Sequence, residues 1–136
     1  MRVYIAGRYS RKVELRSVAA DLRARGVNVT SRWLEEDADP NSQMGEHSEE
    51  FYAAVARKDL DDIDRATSML FFAEDPLVGT PRGGRHVEFG YALARGKYID
   101  VVGPRENVFH YAFSRHLHHF PTLEEYLDFI GGGHYE

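Results

Sequence analysis

The feature that most constrains the fold is a continuous apolar run in the middle of the chain. Residues 68–73 read S-M-L-F-F-A, and polar or turn-forming residues bound the run on both sides. A strand of this kind is buried on both faces, which is typical of a parallel sheet with helices on each side. The run therefore predicts a central strand of an α/β sheet.

Strand and helix patterns alternate around this central strand. The alternation predicts one α/β domain over residues 1–136, a three-layer, doubly wound, mostly parallel sheet of four to five strands in a flavodoxin-like or Rossmann-like arrangement. Ligands of such folds bind beyond the carboxyl ends of the strands, which directs attention to loops 7–12, 33–45, 74–84 and 103–111. The other predicted elements are strands at 2–6, 27–33 and 98–102, and helices near 13–25, 46–66, 85–95 and 122–130.

Composition narrows the expected partners and compartment. The chain has a formal net charge of −5 and a pI near 5.8, so neither a nucleic acid polymer nor an anionic membrane is an expected partner. It has no cysteine, which excludes disulfides and thiolate metal sites and agrees with a reducing compartment. No apolar stretch approaches the roughly 20 residues of a membrane helix, and the N-terminus has a strand pattern that differs from a signal peptide. These features predict a cytoplasmic protein.

The loop after the first strand carries a cluster of cations at the start of a helix. It reads G-R-Y-S-R-K over residues 7–12, and a helix N-terminus favours a bound anion. Gly7, Arg8, Ser10 and Arg11 are therefore candidate phosphate ligands. The loop matches neither the dinucleotide fingerprint nor the P-loop, so a solvated basic turn is an equally good interpretation.

A second candidate segment, residues 83–90, reads G-G-R-H-V-E-F-G. Gly83 and Gly84 allow a ligand to approach the backbone closely. Glu88 follows in the first turns of a helix, where the dipole favours an ionised carboxylate. An ionised carboxylate near an apolar wall is the nucleophile that glycosyl transfer requires. The alternative is that Glu88 only complements the helix dipole.

Two further residues are candidates because of their positions. Asp59 belongs to an acidic cluster at the end of a predicted helix, where acidic residues oppose the helix dipole, and broken local rules sometimes mark function. Tyr4 lies near the carboxyl end of the first strand, within reach of carboxylates on neighbouring elements. A solvated acidic face and an ordinary core tyrosine are the alternatives.

Histidines are grouped at residues 116, 118 and 119. Metal ligands at i and i+2 occur on strands, but no acidic residue is close in sequence, so no metal site is predicted. His86 and His110 lie in predicted site loops and are better candidates for ligand contacts. No cofactor is predicted, because no phosphate motif fits a flavodoxin-like cofactor protein.

Three segments together resemble the nucleoside 2-deoxyribosyltransferase family, which includes the 2'-deoxynucleoside 5'-phosphate N-hydrolases and related pyrimidine-nucleotide glycosidases. Residues 3–7, V-Y-I-A-G, resemble the opening strand of the family. Residues 59–66, D-L-D-D-I-D-R-A, resemble its D-L-x-x-I-x-x-A segment, and residues 84–97 resemble the stretch that holds the nucleophilic glutamate. The resemblance extends from residue 3 to about residue 109.

The resemblance implies a role for each matched residue. Glu88 would be the nucleophile, Tyr4 would orient it, and Asp59 would be a proton donor or would orient the base. Family members are homodimers or larger assemblies in which a neighbour completes each site, and Asn107 is the matching donated residue. His86 is a further candidate substrate contact.

Two departures from the family bear on the substrate. The transferases carry an acidic, base-reading residue shortly before the glutamate, whereas residues 80–83 here read T-P-R-G. The phosphate-binding members have a G-S-x-R loop, and its cations occur here in a shifted register. The sequence thus predicts cleavage of the N-glycosidic bond of a (2'-deoxy)nucleoside 5'-monophosphate or nucleoside, by retaining double displacement, with transfer to water or another base. A nucleotide hydrolase is favoured over a nucleoside transferase, and a non-catalytic nucleotide-binding module is the alternative.

Overall fold

A computed structural model describes residues 1–37, 39–42, 44–77, 83–112 and 115–135. Within these residues five parallel strands form one sheet in the order β2-β1-β3-β4-β5. This confirms the predicted α/β class. The strands are β1 Arg2–Ala6, β2 Asn28–Val29, β3 Ser68–Phe72, β4 Tyr98–Val102 and β5 Leu117–Phe120, and the helices are α1 Lys12–Ala24, α2 Glu49–Arg65, α3 Gly84–Ala94 and α4 Leu123–Gly131.

Helices cover both faces of the sheet. Phe71 of β3 packs against Phe89 of α3 on one face, and α2 packs against α3. On the other face, Phe120 of β5 packs against Tyr126 of α4. All five residues of β3 are buried, as the apolar run predicts for a central strand.

Gly7 leaves room for a tight junction between β1 and α1. A Cβ atom added to Gly7 would lie 2.7 Å from Cδ1 of Leu15, which is fully buried on α1. Side-chain atoms do not approach a Cβ this closely, so Gly7 lets the helix pack onto the end of the strand. Packing against α1 therefore accounts for this glycine without any ligand.

The second strand is shorter than the predicted 27–33. Beyond Asn28–Val29 the chain leaves the sheet and forms a 3₁₀ helix over Arg32–Glu35. Side chains replace ladder bonds here: Ile5 N donates to Ser31 Oγ at 2.7 Å, and Arg32 N donates to Asp62 Oδ2 at 3.0 Å. These long-range bonds have no local sequence signal, which is why the strand prediction was wrong beyond residue 29.

The histidine-rich segment forms the edge strand β5. His118 Nδ1 lies 3.1 Å from Oδ1 of Asp100, a fully buried carboxylate on β4, and Tyr135 OH donates to the same oxygen at 2.7 Å. His119 Nε2 lies 2.6 Å from the carbonyl oxygen of Gly103. An acidic partner close in space is therefore present although none is close in sequence. These contacts attach the C-terminal segment to the sheet.

No helix in the described part of the chain is both long and apolar enough to cross a membrane.

Candidate active site

A cleft of about 560 Å³ opens at the carboxyl end of β1, the edge of the sheet where ligands of such folds bind. Its volume is in the range of small-molecule sites. The walls come from the β1–α1 loop, the segment after β2, the middle of α2 and the first turns of α3. Residues in the walls include Gly7, Arg8, Tyr9, Ser10, Trp33, Glu36, Tyr52, Val55, Asp59, Gly83, Gly84 and Glu88.

Tyr4 and Glu88 form a pair on one side of this cleft. Tyr4 is fully buried in β1, and its hydroxyl donates a hydrogen bond to Oε2 of Glu88. Glu88 is half-buried in α3 and lines the cleft. The two residues are 84 positions apart in sequence, so their meeting depends on how α3 packs across the sheet. A phenol that donates to a carboxylate holds its orientation and favours its ionised form.

Burial opposes ionisation of Glu88. The pKa of Glu88 is raised to about 8, first by desolvation and then by the charges of Asp59 and Glu36, against the lowering effect of the Tyr4 hydrogen bond. The helix dipole favours the ionised carboxylate, but burial and like charges outweigh it. Protonation of Glu88 is therefore favoured near neutral pH.

Asp59 lines the same cleft from α2. Its pKa is raised to about 7, mainly by burial and next by the charge of Glu36. Its Oδ1 atom is buried and has no hydrogen-bond partner among the described residues. A carboxyl that titrates near neutrality is suited to holding or releasing a proton.

The cationic loop of residues 7–12 is only partly available to a ligand. Arg8 and Ser10 line the cleft together with Gly7. Arg11 is not among the lining residues, because its guanidinium pairs with Glu74 and with Glu14, each at 2.6 Å. The structure therefore brings three of the four predicted residues to the cleft and commits Arg11 to two carboxylates.

The two glycines at the start of α3 differ in what they require. Gly83 has φ +88°, a left-handed conformation that side-chain-bearing residues rarely adopt, and it precedes the first turn of α3. A Cβ at Gly84 would meet no atom of the described residues within 4 Å. The preceding residues 78–82, where the family's base-reading acid would occur, lie outside the described residues.

His86 and Asn107 meet each other beside the cleft and do not line it. Asn107 Nδ2 lies 3.2 Å from His86 Nδ1, and Asn107 Oδ1 accepts from Phe109 N at 2.9 Å. Sequence reasoning missed the ion pair next to them. The guanidinium of Arg85 binds both carboxylate oxygens of Glu106, and both side chains are almost fully buried. No local pattern marks such a pair.

His86, Glu106 and His110 have potential metal-binding atoms within 4.8 Å of one another. Each of these groups already has partners. Glu106 accepts from Arg85 and from Glu74 N, and His110 Nδ1 accepts from Glu106 N at 3.2 Å. With Nδ1 accepting, the ring proton of His110 is on Nε2, so neither nitrogen of this ring presents a free lone pair. Nε2 is buried and has no hydrogen-bond partner among the described residues.

Sequence reasoning also missed the acid opposite Glu88. The sequence places loop 33–45 at the ligand-binding edge of the sheet but marks no candidate residue within it. Glu36 reaches the cleft because the 3₁₀ helix turns the chain toward α2, where Lys58 Nζ donates to its Oε1 at 2.8 Å. The turn itself is held by long-range side-chain bonds that the sequence does not reveal.

Fold and cleft together define a class: a flavodoxin-like α/β protein that presents a phenol–carboxylate pair in a cleft of small-molecule size. Three solved structures have a similar fold. CMP N-glycosidase BcmB from Clostridium botulinum is 19% identical with a TM-score of 0.59, and the match covers 96% of this chain and 98% of that one. A 2-deoxyribosyltransferase from Bacillus psychrosaccharolyticus is 20% identical with a TM-score of 0.67, over 93% of this chain and 90% of that one. A conserved protein from Enterococcus faecalis V583 is 15% identical with a TM-score of 0.50, over 96% of this chain and 74% of that one. No protein-family model and no curated protein matches the sequence. The structural likeness agrees with the fold that the sequence predicts.

Proposed function

We propose that this protein is an enzyme of the nucleoside 2-deoxyribosyltransferase family that cleaves the N-glycosidic bond of a (2'-deoxy)nucleoside or its 5'-monophosphate. The observation that carries the proposal is the hydrogen bond from Tyr4 to Glu88 beside the cleft. The likeness to a CMP N-glycosidase and a 2-deoxyribosyltransferase supports it.

The proposed reaction is a retaining double displacement. An oxygen of Glu88 attacks C1' as the bond from C1' to the base nitrogen breaks, and the electron pair leaves with the base. Asp59, whose pKa is raised to about 7 by burial, is the proposed source of the proton that neutralises the departing base. Water or the nitrogen of a second base then attacks C1', releases Glu88 and gives up a proton to Asp59, which restores the starting state.

The two carboxyl groups start in the reverse of the protonation state that the reaction uses. The pKa of Glu88, about 8, is above that of Asp59, about 7, so a single shared proton lies first on Glu88. Positive charge that develops at C1' stabilises ionised Glu88, and the proton is then held by Asp59. Arg8 and Ser10 are the proposed contacts of a 5'-phosphate where one is present, with the backbone at Gly83 and Gly84 approaching the sugar. Arg11 is not proposed as a phosphate contact, because its guanidinium pairs with Glu14 and Glu74.

The experiment is a screen for released base. The protein is incubated with ribo- and deoxyribonucleosides and their 5'-monophosphates, with and without an acceptor base, and products are separated by chromatography. Release of free base, or formation of a new nucleoside, supports the proposal. No product from any of these substrates would defeat it.

A binding module without turnover is the second candidate, and the raised pKa of Glu88 favours it, since a protonated carboxyl is a poor nucleophile. Co-crystals distinguish the two. An intact nucleotide that persists beside native Glu88 indicates binding, and free base or a sugar attached to Glu88 indicates catalysis.

Tyr4→Phe tests the proposed orienting role. The hydroxyl lowers the pKa of Glu88, so its removal is expected to raise that pKa. Activity that depends on ionised Glu88 rises with pH, and in the variant this rise is expected at higher pH than in the wild type. At neutral pH we expect kcat/KM to fall about 10–100-fold. A pH–rate profile measures both effects, and a fall in rate with an unmoved profile would contradict the orienting role.

We further propose a homodimer or larger assembly in which Asn107 contributes to a neighbouring site. The surface beside Asn107 supports this, because Val108, Phe109 and Tyr111 expose 63–76% of their area, and exposed apolar patches mark interfaces. Sedimentation of the native protein and of Phe109→Ser measures the assembly.

The cytoplasmic location stays a prediction of the sequence.

A further inference from the structure

Recognition of the base is open from the sequence, because residues 80–83 lack the acid that the transferases carry before the glutamate. The cleft contains a different acid on its opposite wall. Glu36 follows the 3₁₀ helix Arg32–Glu35 and lines the cleft together with Asp59 and Glu88.

Glu36 is held in one position. Lys58 Nζ donates to its Oε1 at 2.8 Å, and Tyr9 OH donates to its backbone oxygen at 3.2 Å. Its side chain is 16% exposed. Among the described residues no donor is bonded to its second oxygen, Oε2. Within the described part of the chain, the carboxylate thus has one oxygen bound to Lys58 and one without a donor.

The cleft has flat walls beside Glu36. The rings of Tyr9 and Trp33 line it with their centroids 5.9 Å apart, and Tyr52 and Val55 are further lining residues. Aromatic and branched side chains in such an arrangement suit a planar ring. The base of a nucleoside is the planar part of the proposed substrate.

The order of the strands gives the direction in which a nucleoside lies. Glu36 follows β2, which lies on one side of β1 in the sheet, whereas Glu88 is on α3, which follows β3 on the other side of β1. Both acids line the cleft at the carboxyl end of β1, so they belong to opposite walls. A sugar placed at Glu88 therefore leaves its base on the side of Glu36.

We propose that Glu36 selects a base with an exocyclic amine, cytosine or adenine, over the corresponding oxo base. The inference rests on the proposed function for the placement of the sugar. An ionised carboxylate only accepts hydrogen bonds, so Oε2 accepts from an amine and repels the carbonyl oxygen of uracil or hypoxanthine. A site that hydrogen-bonds a substrate N–H rejects an analogue without that N–H strongly. An apolar pocket discriminates far less between two substrates that differ by one methylene group.

The test measures binding in a variant that is unable to turn the substrate over. Glu88→Gln is titrated calorimetrically with cytidine and uridine, with adenosine and inosine, and with their 5'-monophosphates. We expect each amino member to bind at least about tenfold more tightly than its oxo partner, a difference of about 1.4 kcal/mol. Adding Glu36→Gln is expected to abolish or reverse this ratio, because an amide also donates.

Glu35→Gln is the matched control. It removes the same charge from the adjacent position, but Glu35 is exposed and does not line the cleft, so the ratio is expected to stay unchanged. Equal affinity for both members of each pair with native Glu36 would overturn the inference, whether or not Glu36→Gln folds. If the amino compounds bind more tightly but the wild type releases no base, the selective role of Glu36 is supported and the catalytic proposal is defeated. Absence of binding by every compound would overturn both.

Discussion

Glu88→Ala and Glu88→Gln are each expected to lower the rate of base release by at least about 10³-fold. Both remove the oxygen that attacks C1' in the proposed reaction. Glutamine keeps the size of the side chain and its ability to accept from Tyr4, so its loss of activity reports the missing nucleophile and not a missing contact. Single-turnover release of base from the best substrate of the screen measures the effect.

Asp61→Asn is the control for the Glu88 variants. Asp61 lies in the same acidic segment as Asp59, but it is exposed and outside the cleft lining, so its activity is expected to match that of the wild type. Mass spectrometry of the quenched wild-type reaction is expected to show a glycosyl adduct, which both Glu88 variants lack. A Glu88→Gln protein within about tenfold of the wild-type rate would contradict the nucleophile role.

Glu106→Gln is expected to destabilise the protein by about 3–5 kcal/mol, because breaking one side of a buried ion pair leaves an uncompensated charge. The side chains of Arg85 and Glu106 are 3% and 7% exposed, and Nη2 and Oε2 lie 2.9 Å apart. Glu106 also accepts from Glu74 N at 3.1 Å, so it connects the loops that follow β3 and β4 to the first turn of α3. We expect the Tm to fall by roughly 10 °C or more, measured by calorimetry.

The exposed pair of Asp21 and Arg25 provides the comparison. Its side chains are about half exposed, at 46% and 44%, so Asp21→Asn is expected to change the stability by less than about 1 kcal/mol. Removing both partners with Arg85→Met and Glu106→Leu together is expected to cost less than Glu106→Gln alone, since no charge is then left buried. A Glu106→Gln protein as stable as Asp21→Asn would show that the pair contributes little.

Local sequence patterns were sufficient to predict the strand that is buried on both faces and the helices that are amphipathic. The apolar run predicted β3, and helical periodicity predicted α1, α2 and α3 to within a few residues at their ends. The edge strands were harder. β2 ends after two residues because side chains of Ser31 and Asp62 take over its hydrogen bonds, and β5 is half-buried and rich in histidine, so neither has a clear period.

The candidate site shows the same division. Tyr4, Glu88 and Asp59 were identified from their positions and from the family resemblance, and the structure brings all three to one cleft or its wall. Arg11 was predicted as a phosphate ligand, but Glu74 neutralises it from a loop 63 residues away. Glu36 and Glu106 were missed because each acquires its importance from a partner that is distant in sequence.

The sequence by itself determined the α/β class, the central strand and the segments that carry the candidate site residues, because periodicity and turn chemistry are local properties of the chain. Only the tertiary structure decided the hydrogen bond between Tyr4 and Glu88, the raised pKa of Glu88 and the place of Glu36 in the cleft. Those properties depend on burial and on distances between atoms, which are set when elements far apart in the chain pack together.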